Sequence, residues 1–177
     1  MRTPSAGSAG ERVTVDEPTR KALNAERLLL VDTSIRPAVR AVLSDLETMK
    51  MRPLIASEVW RSPAVQLQKY REGTSKLTWG FHCATTPAGK PASLAADIVD
   101  ANKAWGASQE FWLKLGSRAH ARGLGWGGLW GLPANVRAGL VAALEQKNWK
   151  AHVKLGWDVA HVETARVTVT QAKAGKR

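Results

Sequence analysis

An α+β domain, with a small antiparallel sheet flanked by helices, follows from three features of this sequence. Ile35, Val39, Val42, Leu43 and Leu46 fall on one face at helical spacing, the pattern of an amphipathic helix. Residues 93–100 form a short apolar run interrupted by Asp97 and Asp100, which fits a buried strand better than a helix of so few residues. Residues 123–131 carry too many glycines for a regular helix, yet helical sequence stands on either side of them, so the two kinds of element are interspersed.

In chain order, residues 1–15 are small, polar and aperiodic and read as a flexible leader outside the fold. The folded domain is expected over residues 16–170. A helix over 19–31 and a second carrying the apolar face above are expected to form a lid over the core. Residues 52–60 read as a strand. Ser62 then supplies an N-cap and Pro63 a first-turn proline for a helix to about Arg71, which Gly73 ends. Ser108 caps a helix through Arg122, where Trp112, Leu115 and Ala119 form a stripe and Gly123 supplies the left-handed stop. A further helix over 134–146 and a final strand over 157–163 complete the pattern, and residues 171–177 read as a basic tail.

Composition narrows the classes of protein this can be. At 177 residues, 44% hydrophobic and 23% charged, the chain has the make-up of one globular domain and not of a disordered one. Its single cysteine, Cys83, excludes an intramolecular disulfide framework. Leu28-Leu29-Leu30-Val31 is too short to cross a bilayer, and no apolar stretch of signal-peptide length opens the sequence, so synthesis in the cytoplasm is expected. Lys and Arg outnumber Asp and Glu by 26 to 15, a net +11 that attracts nucleic acid, membrane surfaces or bacterial envelopes alike. Eight tryptophans against two phenylalanines and one tyrosine read as core and cleft wall.

Chemistry concentrates at His82, Asp97 and His161. Each histidine alone is compatible with a satisfied core residue, but with Asp97 they make two imidazoles and a carboxylate, a donor set for zinc. Hydrolytic zinc sites take three such ligands and keep a fourth position for water, whose pKa falls to about 7. Asp158, three residues before His161, is the candidate to take a proton from that water, provided the chain bends between them; a turn-capping role is the alternative, and Glu163 is the reserve base. Cys83 adjoins a ligand and is expected to point away, and His120 and His152 are expected to face solvent.

This ordered set resembles the zinc D,D-carboxypeptidase and L-alanyl-D-glutamate endopeptidase family, which includes vancomycin-resistance dipeptidases and many phage endolysins. Gly80-Phe81-His82 and Ser93-Leu94-Ala95-Ala96-Asp97 stand at the family's first motif, and Asp158-Val159-Ala160-His161 at its last. Trp126-Gly127-Gly128 and Arg61-Ser62 match two further features, so the likeness spans roughly residues 56–163. Two departures stand out. The shorter family form has about six residues between His and Asp, whereas residues 83–96 intervene here, with a turn-rich excursion over 83–92 of a kind some phage members share. Gly80 replaces the usual serine, leaving Ser75, Thr78 or Thr85 to supply its hydrogen bond.

The resemblance implies a hedgehog/D,D-peptidase-like fold, Zn2+ held by His82, Asp97 and His161, Asp158 as general base, and Arg61 binding a substrate carboxylate or carbonyl oxygen. A surface ion pair is the competing role for Arg61. It further implies a peptidoglycan stem peptide as substrate, cut at L-Ala–D-Glu, with D-Ala–D-Ala carboxypeptidase action as the near alternative. A phage endolysin is expected: a monomer kept in the host cytoplasm until a holin releases it to the wall or periplasm, its basic surface drawn to the anionic envelope. A basic nucleic-acid-binding module is the reading from another class. It leaves the His, Asp, Asp, His order unexplained, so no nucleic-acid partner is expected. A wall-binding protein without turnover is disfavoured by retention of both ligands and base.

Overall fold

The computed structural model describes residues 15–177; the leader expected over 1–15 lies, but for Val15, outside the described residues. Helix α1 (Glu17–Leu28) starts at Asp16, whose side chain accepts from the Thr19 amide, and α2 (Arg36–Thr48) follows. Strand β1 (Pro53–Ile55) is at the sheet edge and antiparallel to β2 (Ala95–Asp100). Between them lie α3 (Pro63–Arg71), capped by Ser62 as its sequence requires, and a 3-10 turn at Phe81–Cys83. Helix α4 (Gln109–Ala121) begins at the Ser108 cap and ends before Gly123, whose φ of 72° is the left-handed stop. Then come β3 (Leu124–Trp126), a 3-10 turn at Gly127–Leu129, α5 (Ala134–Glu145), β4 (His161–Thr164) and α6 (Val169–Lys173). All neighbours in the sheet order β1-β2-β4-β3 are antiparallel. No helix among the described residues is long and apolar enough to cross a membrane.

Side chains alternate across the sheet. Ala96, Ile98 and Val162 join the main core with Val39, Val42 and Leu46 of α2 and Phe111 and Leu115 of α4. Asp97, His161 and Glu163 are one position out of step and so point to the opposite face. The first two helices are therefore wall, not lid, because the α2 stripe is itself the core. Helix α1 also guards an edge. Arg20 and Asn24, both buried, donate to the Pro53 carbonyl at 2.7 and 3.0 Å, and the Asn24 side-chain oxygen accepts from the Ile55 amide at 2.8 Å. These bonds satisfy the outer backbone groups of β1, which an edge strand otherwise leaves open to another chain.

Three expected elements end elsewhere. The strand expected over 52–60 is confined to β1, since after Ala56 the chain leaves the sheet to wrap the Phe81–Cys83 turn: Trp60 Nε1 donates to the Ala84 carbonyl at 3.0 Å and the Arg61 amide to that of His82 at 3.0 Å. The last strand starts at His161, because residues 157–160 bend, with the Trp126 indole donating to the Val159 carbonyl at 2.7 Å. Residues 171–177 are docked: Ala172 is buried and Arg177 pairs with Asp32 at 3.3 Å. The excursion over 83–92 leaves and returns as expected, closed by the Ala92 amide on the Ala84 carbonyl at 3.0 Å.

Candidate metal centre

Register brings two of the three proposed ligands together. Asp97 on β2 is the direct cross-strand partner of His161 on β4, so their side chains share one face of the sheet. His82 arrives from outside the sheet on its 3-10 turn, fixed by the burial of Phe81 and Cys83 on either side. His161 Nδ1 lies 3.1 Å from Asp97 Oδ1 and 3.3 Å from His82 Nε2, and His82 Nε2 lies 3.7 Å from Asp97 Oδ2. Tetrahedral bonds of about 2.0–2.1 Å place ligand atoms about 3.3–3.4 Å apart, so this spacing suits one small cation.

Protonation favours the same reading. His82 Nδ1 sits 2.8 Å from the Val59 carbonyl, which can only accept, so Nδ1 is the donor there and Nε2 is the nitrogen that faces the centre. That carbonyl holds the ring, while Ser75, a candidate to replace the missing serine, is instead bound by Gln66. His161 is held differently. Its Nε2 lies 3.0 Å from Glu163 Oε2 while Nδ1 faces Asp97. Burial alone would lower its pKa, but the hydrogen bonds and charges of Asp97 and Glu163 outweigh burial and raise it to about 10. Burial likewise pushes the Asp97 carboxyl up, and the two histidines overcome that and hold it far below the ordinary carboxylate range. Without a cation, a proton on His161 offsets one of the two carboxylates that flank it; with one, that proton has to leave Nδ1.

Asp158 is half-buried, and its backbone carbonyl accepts from the His161 amide at 3.2 Å, the bend its role required. Burial raises its pKa, with the charges of Asp97 and Glu163 adding to the rise and the two histidines opposing it. Gly127 determines how closely the chain can approach there. A Cβ at Gly127 would stand 2.3 Å from the Asp158 carbonyl oxygen, so the Trp-Gly-Gly segment is the floor on which Asp158 rests. The centre gathers the three candidate ligands, with Asp158 close enough for its charge to be felt there. Arg61 makes the competing ion pair: its guanidinium binds Glu58 at 2.9 Å and Gln66 at 2.8 Å, and its amide donates to the His82 carbonyl. Cys83 is outside the cluster, its thiol pKa pushed up by burial, and His120 and His152 are exposed as expected.

Two supports escaped sequence reasoning. The Val59 carbonyl has no side-chain signature. Trp130, whose ring centroid is 5.0 Å from that of His161, had only its place beside the Trp-Gly-Gly segment. Glu163 was visible as a reserve base, and its spacing of two from His161 on a strand was the signal that both share a face. A cavity of about 800 Å³ lies behind the His82 turn, lined by Cys83, Thr85 and Trp79, but none of the three ligands lines it.

Among solved structures, the crystal structure of the Serratia marcescens L-Ala D-Glu endopeptidase ChiX is similar, with a TM-score of 0.52 and 17% identity, covering 89% of this chain and 96% of that one. At this identity the likeness concerns the fold. No protein-family model matches the sequence, and no curated protein matches it.

Proposed function

We propose that this protein is a zinc peptidase that hydrolyses an amide in the peptide stems of bacterial peptidoglycan, at L-Ala–D-Glu. The observation that carries the proposal is the convergence of His82 Nε2, Asp97 and His161 Nδ1 on one point, with the outer nitrogen of each histidine engaged elsewhere. Fold likeness to an L-Ala D-Glu endopeptidase supports the substrate class. An ion held there supplies Lewis acidity and lowers the pKa of a water.

The remaining chemistry falls to the chain. Asp158, made more basic by burial, takes a proton as water adds to the scissile carbonyl carbon, then gives it to the nitrogen as the C–N bond breaks. Val59 and Glu163 fix the histidine rings, and Gly127 lets Asp158 approach. Arg61 supports the His82 turn through its amide, and its guanidinium is held by Glu58 and Gln66 at the margin. The long excursion between His82 and Asp97 favours a phage-type lytic enzyme released from the host cytoplasm, and the net charge of +11 favours attraction to the envelope.

Digestion of defined peptidoglycan, with and without chelator, tests this. Mass analysis is expected to find stems cut between L-Ala and D-Glu only without chelator. Release of D-alanine alone would mean a carboxypeptidase, and new sugar reducing ends would refute a peptidase.

A further inference from the structure

Trp157 is 65% exposed, four residues before the buried His161. It is nonetheless firmly placed. Its ring centroid lies 5.2 Å from that of Trp130, which in turn lies 5.0 Å from His161, so a line of rings runs from the centre to the surface. Close backbone approach holds the two indoles together. A Cβ on Gly156 would stand 2.5 Å from the Trp130 carbonyl oxygen, and one on Gly131 would stand 3.0 Å from the Trp157 ring. Lys76 Nζ stands 5.8 Å from the Trp157 ring centroid. Its loop is pinned from the other flank of the site, because Gln66 donates to Ser75 Oγ at 2.8 Å and to the Leu77 carbonyl at 2.6 Å.

The geometry points to a sugar subsite on this shelf, occupied by the N-acetylmuramoyl ring that carries the stem peptide. This deepens the peptidase reading and rests on it. A pyranose offers an apolar C–H face rimmed by oxygens. An indole with an ammonium standing over it complements both parts, with the exposed part of the ring meeting the C–H groups and Nζ–H donating to the rim. A purely apolar partner would strip water from Lys76 without repaying it in hydrogen bonds. Alanine and glutamate, the residues flanking the scissile bond, carry no flat apolar face that could use the indole. The enzyme is thus built to prefer stems still attached to glycan.

The test compares kcat/KM for a stem peptide on N-acetylmuramic acid with that for the same peptide capped by a lactoyl group alone. Binding of N-acetylmuramoyl-L-alanine, which has no scissile bond, is measured by calorimetry on the zinc-loaded protein. Wild type is expected to prefer the sugar-bearing substrate. Trp157→Ala is expected to cut that preference roughly three- to tenfold and Trp157→Tyr to restore part of it, with zinc content unchanged. Lys76→Met is expected to weaken the preference less. An unchanged preference in Trp157→Ala, with cleavage intact, overturns the subsite and leaves the peptidase standing. Sugar-ligand binding that depends on Trp157 without cleavage of either substrate upholds the subsite and removes the peptidase. Absence of both preference and binding in wild type, or a dimer that Trp157→Ala dissolves, overturns the subsite.

Discussion

His82 and His161 present one nitrogen each to the same point, but their surroundings are opposite in kind. His82 rides on a turn wrapped by residues 59–61 and is fixed by the neutral Val59 carbonyl. His161 sits on a strand between two carboxylates, with Asp158 bent in behind it and Trp130 against its ring. One flank contributes a ring nitrogen and little else. The other holds a histidine whose pKa is raised by two carboxylates, carries the candidate base and leads out to the exposed shelf. The division suggests that the His82 side sets geometry and the His161 side carries the proton chemistry.

Asp158→Asn tests that division with the largest expected effect. The amide is nearly the same size but cannot accept a proton at neutral pH, so turnover is expected to fall about 10²–10⁴-fold with zinc still bound. Near wild-type turnover would move the base to Glu163. Loss of metal together with turnover would make Asp158 a ligand. Gly127→Ala comes next. The added methyl has no room against the Asp158 carbonyl, which also accepts from the His161 amide, so it displaces Asp158 and strains that bond, and a shift of about 1 Å can cost about 10²-fold. Steady-state kinetics and metal content measured together should show turnover falling much further than zinc content.

Much of this asymmetry was already written in the sequence. The caps at Ser62 and Ser108 and the stop at Gly123 fell where local chemistry put them, because capping depends on a few adjacent residues. His82, Asp97 and His161 were legible as a donor set whose order resembled a known family. Residues 56–60 were not, because they look like strand and become a wrapper only through backbone bonds to the His82 turn, which leave no trace in residue type. Strand β3 was hidden for a related reason: Gly125 lies opposite Glu163, and glycine carries little strand preference of its own. The placement of Arg61 against Glu58 and Gln66 likewise depends on how α3 packs.

The smallest effect concerns protons. In the metal-free protein His161 is expected to titrate near 10, observable by NMR of the imidazole, and Glu163→Gln is expected to lower that value by removing one of the two charges that raise it. The sign for stability follows. A histidine raised from 6.5 contributes fully below about 6.5 and loses its contribution as pH climbs toward 10, while Asp97, lowered from 3.8, contributes above that value and loses it on acidification. Thermal stability without metal should therefore decline from pH 6.5 to 10. Zinc affinity should rise over the same interval, since binding displaces the His161 proton. A flat profile in both would mean that His161 is neutral and that the two flanks are alike.

Equilibrium zinc binding followed by elemental analysis tests the central claim most directly. One zinc per chain is expected in the wild type and none retained in His82→Ala or His161→Ala after the same dialysis. A wild-type protein without stoichiometric metal, or either variant holding zinc with unchanged affinity, would contradict the account.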